Sequence, residues 1–347
     1  METPASNVFL RTHRVDRLEV ETLPIGQRSR LLVHLVHDAL GRPVALPVLV
    51  LRGVRPGPVV GLTAALHGNE LNGIPVLHRL FDRVDPQQLR GTLVGVVVVN
   101  LPGYLSRRRL LEPRFDLNHL FPGRDDGNAA QVYAARFLDR IVKHFDYLFD
   151  LHTASFGRAN SFYVRANLSD DTAARMALLQ RPQIILDHSP TDGSLRGTAA
   201  SLGIPAVTLE IGDPQRFQAS YIKRALGGIR AVLSDLGLLP KRRPVDVPEP
   251  VVCSSSRWLY TDHGGLLEVF PEVADKVEKD EVVARLTNIF GEVEREYRAP
   301  ESGIVIGKSV DPVASTGGRI LHLGHIEENH PAVIRLRASQ DPSASIG

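Results

Sequence analysis

Short apolar runs alternate with glycine, proline and charged residues along the first sixty positions of the chain. Three of these runs are RLEVETL, RLLVHLVHDALG and RPVALPVLVLRG. Segments of this length that lie between turn residues are typical of antiparallel strands. The pattern therefore predicts a short antiparallel region at the start of the chain.

From residue 58 onward, continuous apolar strands are followed by amphipathic helices or by a loop. The predicted strands are PVVGLTAAL, TLVGVVVVN, YLFDLHT and IPAVTLEIG, and the predicted helices are GIPVLHRLFDRV, AAQVYAARFLDRIVKHF and ASYIKRALGGIRAVLSDLGLL. Strands of a parallel sheet that is covered on both faces read as unbroken runs of Val, Leu and Ile. We therefore expect an α/β fold with a mixed, largely parallel sheet and helices on both faces.

The pattern changes again at residues 240–251, PKRRPVDVPEPV, where prolines and charges indicate a linker. Beyond it the helical periodicity disappears, and short segments such as WLYTDHGGLLEVF, SGIVIGKSV and GRILHLGHI predict strands joined by turns. We expect an α/β domain over residues 1–244, a small all-β domain over residues 245–340 and a loose tail over residues 341–347.

Composition narrows the class of protein without identifying it. The 347 residues are 43% hydrophobic and 23% charged, as in soluble globular proteins. The 41 basic and 39 acidic side chains nearly cancel, so charge does not favour a nucleic-acid partner. A single cysteine, Cys253, excludes an internal disulfide framework and a CxxC motif. Neither a signal-peptide pattern nor a membrane-length apolar run is present, so we expect a cytoplasmic protein with no membrane partner.

Coordinating side chains lie where the predicted parallel strands end. His67 and Glu70 follow PVVGLTAAL, His152 lies near the end of YLFDLHT, and Glu210 lies near the end of IPAVTLEIG. Ligands of open α/β sheets collect outside the carboxyl ends of the strands, so these groups are expected to converge. Two imidazoles and one carboxylate, with one position left for water, are a ligand set typical of catalytic zinc.

Other interpretations of the same residues remain open. The spacing of His67 and Glu70 also suits an ordinary helix start, where such side chains cap and are solvated. A single histidine at a strand end is more often a satisfied polar residue than a ligand. Gly68 is expected to permit the bend between the two. Asp150, two positions before His152 on one side of the strand, is a candidate partner for an imidazole N–H.

Four segments, in this order, resemble the succinylglutamate desuccinylase/aspartoacylase family, a branch of the zinc carboxypeptidase superfamily: HGNELNG, FDLNHLFPG, DLHT and PAVTLEIG. The C-terminal segment from GGLLEVF to GIVIG is similar to the β domain of such deacylases, with a lipoyl- or biotinyl-like turn pattern. The resemblance implies a zinc-carboxypeptidase-like fold and one Zn²⁺ per chain. It also implies hydrolysis of an amide bond in a small N-acylated amino acid or amine.

The resemblance further implies a role for each matching residue. His67, Glu70 and His152 would bind zinc, and Glu210 would activate a zinc-bound water and later donate its proton. Substrate contacts are implied less sharply. The candidates are Arg109 at the scissile carbonyl, with Arg107, Arg108 and Arg114 competing for that place; Asn118 of the family's DLNR pattern; His119; and Arg158 and Arg165 in FGRANSFYVRANL.

One departure from the family pattern concerns His119, which stands where DLNR has arginine. Arginine binds a carboxylate through two donors and stays charged, whereas imidazole offers one donor and titrates near neutrality. We therefore expect altered recognition of succinate- or aspartate-type carboxylates. The substitution His119→Arg should shift the preference toward acidic substrates in a paired assay of acidic and neutral amides. An unchanged preference would contradict the expectation.

Two further functions are alternatives to the deacylase. One is a metallocarboxypeptidase that releases a C-terminal residue, and the other is a zinc-retaining binding protein without turnover. Oligomeric state is left open, with a homo-oligomer as one expectation. His322 and His325 form an HxxH-like pair in the predicted β domain, which is more typical of strand residues than of a second metal site.

Overall fold

The computed structural model describes residues 12–111, 114–189, 193–241 and 248–338. The predicted tail over residues 341–347 lies outside the described residues, as does the middle of the predicted linker. The first ten strands are β1 (His13–Val15), β2 (Gln27–His37), β3 (Pro43–Arg52), β4 (Arg55–Ala64), β5 (Arg90–Val96), β6 (Tyr147–His152), β7 (Arg158–Asn160), β8 (Phe162–Ala166), β9 (Ile184–Asp187) and β10 (Ala206–Ile211). The later strands are β11 (Val251–Tyr260), β12 (Gly265–Val269), β13 (Lys276–Val277), β14 (Val282–Thr287), β15 (Val293–Arg298), β16 (Gly303–Ser309), β17 (Val313–Ala314) and β18 (Arg319–Ile326).

The α-helices confirm the three predicted from apolar periodicity and add four others. They are α1 (Gly73–Arg83), α2 (Leu101–Leu105), α3 (Ala129–Arg140), α4 (Asp171–Leu179), α5 (Leu195–Ser201), α6 (Ala219–Asp235) and α7 (Pro331–Ala338). Helix α3 begins at a capping box, in which Asn128 and Gln131 each accept a hydrogen bond from the other's backbone N–H. Within the described ranges, no helix has the length and apolarity needed to span a membrane.

One mixed sheet organises most of the described residues. Its strand order is β1-β2-β3-β5-β4-β6-β10-β8-β9-β11-β18-β16-β13, and β7 pairs with β16. Strands β5, β4, β6 and β10 are parallel to one another, whereas β2 and β3 are antiparallel. Helices α1, α4, α6 and α7 pack on one face, and α3 and α5 pack on the other. The predicted α/β fold with covered faces is confirmed.

The register of the central strands decides which side chains meet. Strand β4 pairs with β6, with Thr63 opposite Asp150, and β6 pairs with β10, with His152 opposite Glu210. Because neighbouring parallel strands end at the same edge of a sheet, the carboxyl ends of β4, β6 and β10 are adjacent. This edge therefore receives the polar residues that close three apolar strands.

The C-terminal strands are joined to the main sheet through β11. Its first residues, Val251–Cys253, pair in parallel with β9, and its later residues pair antiparallel with β18. Strands β15, β14, β12 and β17 form a separate antiparallel sheet. Leu286 of that sheet and Leu321 of the main sheet belong to one buried apolar cluster. The β character predicted for this region is confirmed, while its separation as a domain at residue 245 stays a prediction.

Helix α7 follows the last strand and was not predicted. Ala332, Val333 and Leu336 are buried in the core on the α1, α4 and α6 side of the sheet. The Nε2 atom of His330 also lies 3.2 Å from Oδ2 of Asp187, at the end of β9. The chain therefore returns from the β region to the α/β part, which a purely β interpretation of residues 245–340 did not include.

Candidate metal centre

Three coordinating residues meet at the carboxyl edge of the sheet. His67 and Glu70 lie in the turn between β4 and α1, and His152 is the last residue of β6. The Nδ1 atom of His67 is 2.8 Å from Oε1 of Glu70 and 3.2 Å from Nδ1 of His152. The Nδ1 atom of His152 is 3.0 Å from Oε2 of Glu70. All three side chains are buried, at 3%, 1% and 3% exposure.

Each imidazole is held from behind by a carboxylate. The Nε2 atom of His152 lies 2.7 Å from Oδ2 of Asp150, and Oδ1 of the same carboxylate accepts a hydrogen bond from the Thr63 hydroxyl at 2.7 Å. The Nε2 atom of His67 lies 3.1 Å from Oδ1 of Asp116. Since Nε2–H donates to a carboxylate in both rings, Nδ1 is left as the inward-facing ligand atom. The predicted contact between Asp150 and His152 is present.

The donor set fits a metal ion. Ligand atoms at about 2.0–2.2 Å from a tetrahedral ion lie roughly 3.3–3.6 Å apart, a little farther than the 2.8–3.2 Å that separate them in this cluster. His67, Glu70 and His152 are the group of described residues whose ligand atoms all lie within 4.8 Å of one another. Two nitrogens and one carboxylate oxygen suit zinc, and the paired carboxylates behind the rings strengthen them as ligands. This cluster could therefore hold a metal ion.

Charge in the cluster supports the same conclusion. Burial by itself raises the pKa of Glu70, but His67, His152 and Arg109 hold it well below its ordinary value. Burial by itself lowers the pKa of His152, but Asp150 and Glu70 hold it well above. The carboxylates thus favour a positive charge at this point. A metal ion bound there competes with the proton of His152, so affinity for the metal falls as pH falls.

Gly68 is required for a reason different from the predicted bend. Its backbone φ is not positive, so the backbone conformation of the turn does not itself require glycine. A Cβ at this position would lie 2.1 Å from the carbonyl carbon of Gly103 and 2.6 Å from the carbonyl oxygen of Arg108. The Gly68 N–H also donates to the Arg109 carbonyl at 3.2 Å. Absence of a side chain therefore lets the segment that carries Arg109 pack against the metal-binding turn.

Arg109 is the arginine of its segment that enters the cluster. Its Nη1 donates to Oε1 of Glu70 and to the Ser155 hydroxyl, each at 2.7 Å. Its Nε and Nη2 donate to Oδ2 of Asp116 at 3.1 and 3.0 Å. The competing residues are exposed at the surface: Arg107, Arg108 and Arg114. Of the four arginines, Arg109 is therefore the one whose side chain lies in the cluster.

Glu210 stands beside the cluster on the neighbouring strand β10. It is opposite His152 in the strand register and is 9% exposed. Its Oε2 accepts a hydrogen bond from Nδ2 of Asn160 at 3.3 Å, and its Oε1 lies 3.7 Å from Nε of Arg165. Burial raises the pKa of Glu210, although Arg165 and His152 oppose the shift. A buried carboxylate with a raised pKa is suited to proton transfer near neutral pH.

Comparison with known proteins identifies the family. The model of the succinylglutamate desuccinylase/aspartoacylase catalytic domain matches residues 56–236, which include every cluster residue above. The chain belongs to this family. The resemblance inferred from the four sequence segments is thereby confirmed.

Relatives in the family carry two kinds of name. The chain is 26% identical over 301 residues to an N-alpha-acetyl-L-2,4-diaminobutyric acid deacetylase of Halomonas elongata, which covers 82% of this chain and 87% of the relative. It is 31% identical over 171 residues to a succinylglutamate desuccinylase of Pseudomonas paraeruginosa, covering 45% of this chain and 51% of that relative. The family is thus one of hydrolases, and the longer match is to a deacetylase.

Solved structures of the family share the fold almost end to end. The product-bound ectoine utilization protein EutE (DoeB) of Ruegeria pomeroyi has a TM-score of 0.79 at 22% identity, covering 88% of this chain and 98% of that one. A succinylglutamate desuccinylase from Silicibacter has a TM-score of 0.77 at 25% identity, with the same coverage. The matched 88% of this chain is more than residues 1–244 alone could supply. The common fold therefore extends into the C-terminal strands.

The remaining predicted residues of this family member lie around the cluster at different distances. Asn118 bonds within the protein: its backbone N–H donates to Asp116 at 3.0 Å, and its Oδ1 accepts from the Leu195 N–H at 2.9 Å. His119 is exposed. Arg165 lies beside Glu210, and Arg158 lies at the C-terminal strands with its guanidinium carbon 5.6 Å from the centre of the Trp258 ring. Arg165 thus lies next to the site and Asn118 next to Asp116, whereas Arg158 contacts Trp258 of the C-terminal strands.

Asp116 and Asn160 also contact the central groups, and neither was predicted from the sequence. Asp116 bridges His67 and Arg109. The sequence could have indicated it, because it is the Asp of the FDLNH segment and caps the short 3₁₀ helix Leu117–His119. Asn160 bonds Glu210 but carries no signal in sequence, since its place depends on β7 pairing with β16. A Cβ at Gly307, opposite Asn160, would lie 2.4 Å from the Asn160 amide oxygen. The C-terminal strands therefore pack against the residue that bonds Glu210.

Proposed function

We propose that the chain is a zinc-dependent hydrolase that cleaves the amide bond of a small N-acylated amino acid. The observation that carries this is the buried cluster of His67, Glu70 and His152 next to the buried carboxylate of Glu210. Membership of a family that contains a deacetylase and a desuccinylase supports the same reaction. The substrate partner is then a small N-acylated amino acid rather than a macromolecule.

Zinc is the metal that suits two histidines and a carboxylate, and when bound it lowers the pKa of water and polarises a carbonyl oxygen. His67 and His152 would hold the ion through Nδ1, with Asp116 and Asp150 fixing their tautomers. Glu70 completes the set, held by the backbone N–H of Thr153 at 3.0 Å. These hydrogen bonds fix the three ligands before the substrate arrives.

Glu210 moves the protons of the reaction. It removes a proton from the attacking water and later delivers it to the departing nitrogen, because an amine anion is too basic to leave at neutral pH. Asn160 fixes one carboxylate oxygen of Glu210, and the other lies 3.7 Å from Nε of Arg165. Arg109, with its guanidinium beside Glu70, supplies positive charge where the carbonyl oxygen becomes negative.

The pH dependence of kcat/KM tests the protonation state proposed for Glu210. Glu210 must be ionised to accept a proton, and burial raises its pKa above the ordinary 4.5. Activity should therefore be lost as pH falls through a value higher than 4.5, measured at saturating zinc so that metal loss does not contribute. An acid limb centred at or below the ordinary carboxyl value would contradict the assignment.

Metal analysis combined with a substrate screen tests the whole proposal. We expect one zinc per chain and hydrolysis of N-acetyl amino acids, including N-alpha-acetyl-L-2,4-diaminobutyric acid, in preference to blocked dipeptides. Preference for dipeptides would favour the carboxypeptidase alternative. Stoichiometric zinc without turnover over a broad amide panel would instead favour a binding protein.

A further inference from the structure

Trp258 of β11 is the centre of a group of basic side chains at the junction of the α/β part and the C-terminal strands. The guanidinium carbon of Arg319 lies 4.9 Å from the centre of the indole ring, and that of Arg158 lies 5.6 Å from it. The ring of His322 stacks on the same indole, with centroids 4.7 Å apart and planes within 6°. We call Arg158, Arg319, Trp258 and His322 the tryptophan platform.

The platform gathers positive charge without a matching acid. Within the described ranges, no carboxylate lies at ion-pair distance from the guanidinium of Arg158 or of Arg319. Burial, together with the charges of Arg319 and Arg109, lowers the pKa of Arg158. Burial and the nearby Arg165, Arg319 and Arg158 hold the pKa of His322 at about 3, so this ring is neutral at physiological pH. Two like charges on one ring are unfavourable unless an anion joins them.

Strand pairing places the platform next to the proposed active centre. Arg158 begins β7, three residues after Ser155, whose hydroxyl accepts a hydrogen bond from Arg109. At the other end of β7, Asn160 bonds Glu210. Strand β7 pairs with β16, which pairs with β18, the strand that carries Arg319 and His322. The charges of Glu70 and Glu210 also act on Arg158. The strand that carries Arg158 therefore lies next to the catalytic groups, and the charges of those groups reach Arg158.

We propose that Arg158 and Arg319, supported by Trp258, form a carboxylate-binding subsite that the C-terminal strands contribute to the active centre. Guanidinium groups stacked on an aromatic ring are held in a fixed plane and present their donors to a carboxylate in pairs. The site takes a carboxylate that the substrate carries in addition to its scissile amide. This deepens the proposed function and rests on it for the identity of the ligand.

The subsite also accounts for the histidine at position 119. The family's DLNR arginine is missing there, and His119 is exposed. Arg158 and Arg319 supply from another direction the two-donor contact that an imidazole cannot make. Recognition of an anionic substrate is then moved toward the C-terminal strands instead of being lost.

Trp258 provides a direct optical test, because it is the single tryptophan of the chain. Zinc-loaded protein with Glu210→Gln, which prevents turnover, is titrated while tryptophan emission is recorded. Two matched pairs of ligands locate the carboxylate. N-acetylalanine against its carboxamide tests the amino-acid side, and N-succinylpropylamine against N-butyrylpropylamine tests the acyl side. We expect the acid of at least one pair to change the emission saturably and to bind at least about tenfold more tightly than its neutral partner.

The substitution Arg319→Gln, added to this protein, removes one charge from an exposed position. It should weaken binding of the acid at least about tenfold and leave the neutral ligand unaffected. Arg257→Gln is the matched control, because Arg257 precedes Trp258 on β11, points to the opposite face and pairs with Glu301 at 3.8 Å. An exposed pair contributes little, so this control should change binding by about twofold or less.

The outcomes separate this subsite from the proposed reaction. A change in emission on adding the acid that Arg319→Gln weakens supports the subsite, whether or not the wild-type protein hydrolyses an amide. If the wild type hydrolyses none, only the proposed hydrolase function is contradicted. Turnover of acidic amides with unchanged kinetics in Arg319→Gln and no emission response overturns the subsite and leaves the hydrolase intact. Absence of both turnover and binding contradicts both.

Discussion

The substitution Glu210→Gln should lower kcat for amide hydrolysis by about 10²- to 10⁴-fold, the range that a general base contributes. Glutamine keeps the size of the side chain and one oxygen for the Asn160 hydrogen bond, but it cannot accept the proton of water. Zinc content and thermal unfolding should stay at wild-type values, because Glu210 is not among the three ligand residues. Steady-state kinetics with metal analysis of the same preparation measure both.

A matched control for this variant is Glu268→Gln, which neutralises an exposed carboxylate on β12 in the separate antiparallel sheet. We expect its kcat to equal that of the wild type. If Glu210→Gln retained near-full turnover with zinc bound, Glu210 would not be the base. Loss of zinc together with activity would show instead that the substitution acts through the metal cluster.

The substitution His152→Ala should lower zinc from one per chain to well below stoichiometry and abolish hydrolysis. It removes one of three ligand atoms and leaves the Asp150 carboxylate buried without its imidazole partner. A buried charge that loses its partner costs about 3–5 kcal/mol, so the melting temperature should fall as well. Metal content after dialysis against a weak chelator, read beside thermal unfolding, gives both results.

The control for this second variant is His78→Ala, which removes an exposed imidazole from α1, the helix that follows the metal-binding turn. Zinc content and activity should not change. Unchanged zinc stoichiometry in His152→Ala would exclude this residue as a ligand. A lower melting temperature with full zinc content would assign it a structural role only.

The residues of the site that can be predicted from the sequence are those whose position follows from the local pattern of apolar and polar residues. Apolar runs that end near His152 and Glu210 indicate parallel strands. Because parallel strands end at one edge of the sheet, the fold class alone predicts that these two side chains lie close together. Family motifs add the chemistry of each residue. Asp150 is predictable in the same way, because alternation along β6 places it on the same side as His152.

The parts that sequence does not predict depend on contacts between distant segments. Asn160 reaches Glu210 because β7 pairs with β16, and no periodicity near residue 160 encodes that pairing. Gly68 reads as a turn glycine, but its reason is the approach of the backbone at Gly103 and Arg108. Helix α7 was missed because its eight residues, PAVIRLRA, are too short a segment to show a clear helical periodicity, and its apolar side chains are buried only by packing against the core around α4. Tertiary packing overrides local preference in each case.

Anomalous diffraction at the zinc absorption edge, on crystals of zinc-loaded protein, shows where the metal binds. We expect one strong peak within about 2.0–2.2 Å of Nδ1 of His67, Nδ1 of His152 and a carboxylate oxygen of Glu70. A zinc peak bound elsewhere, or no peak among these three side chains in protein that carries stoichiometric zinc, would contradict this expectation.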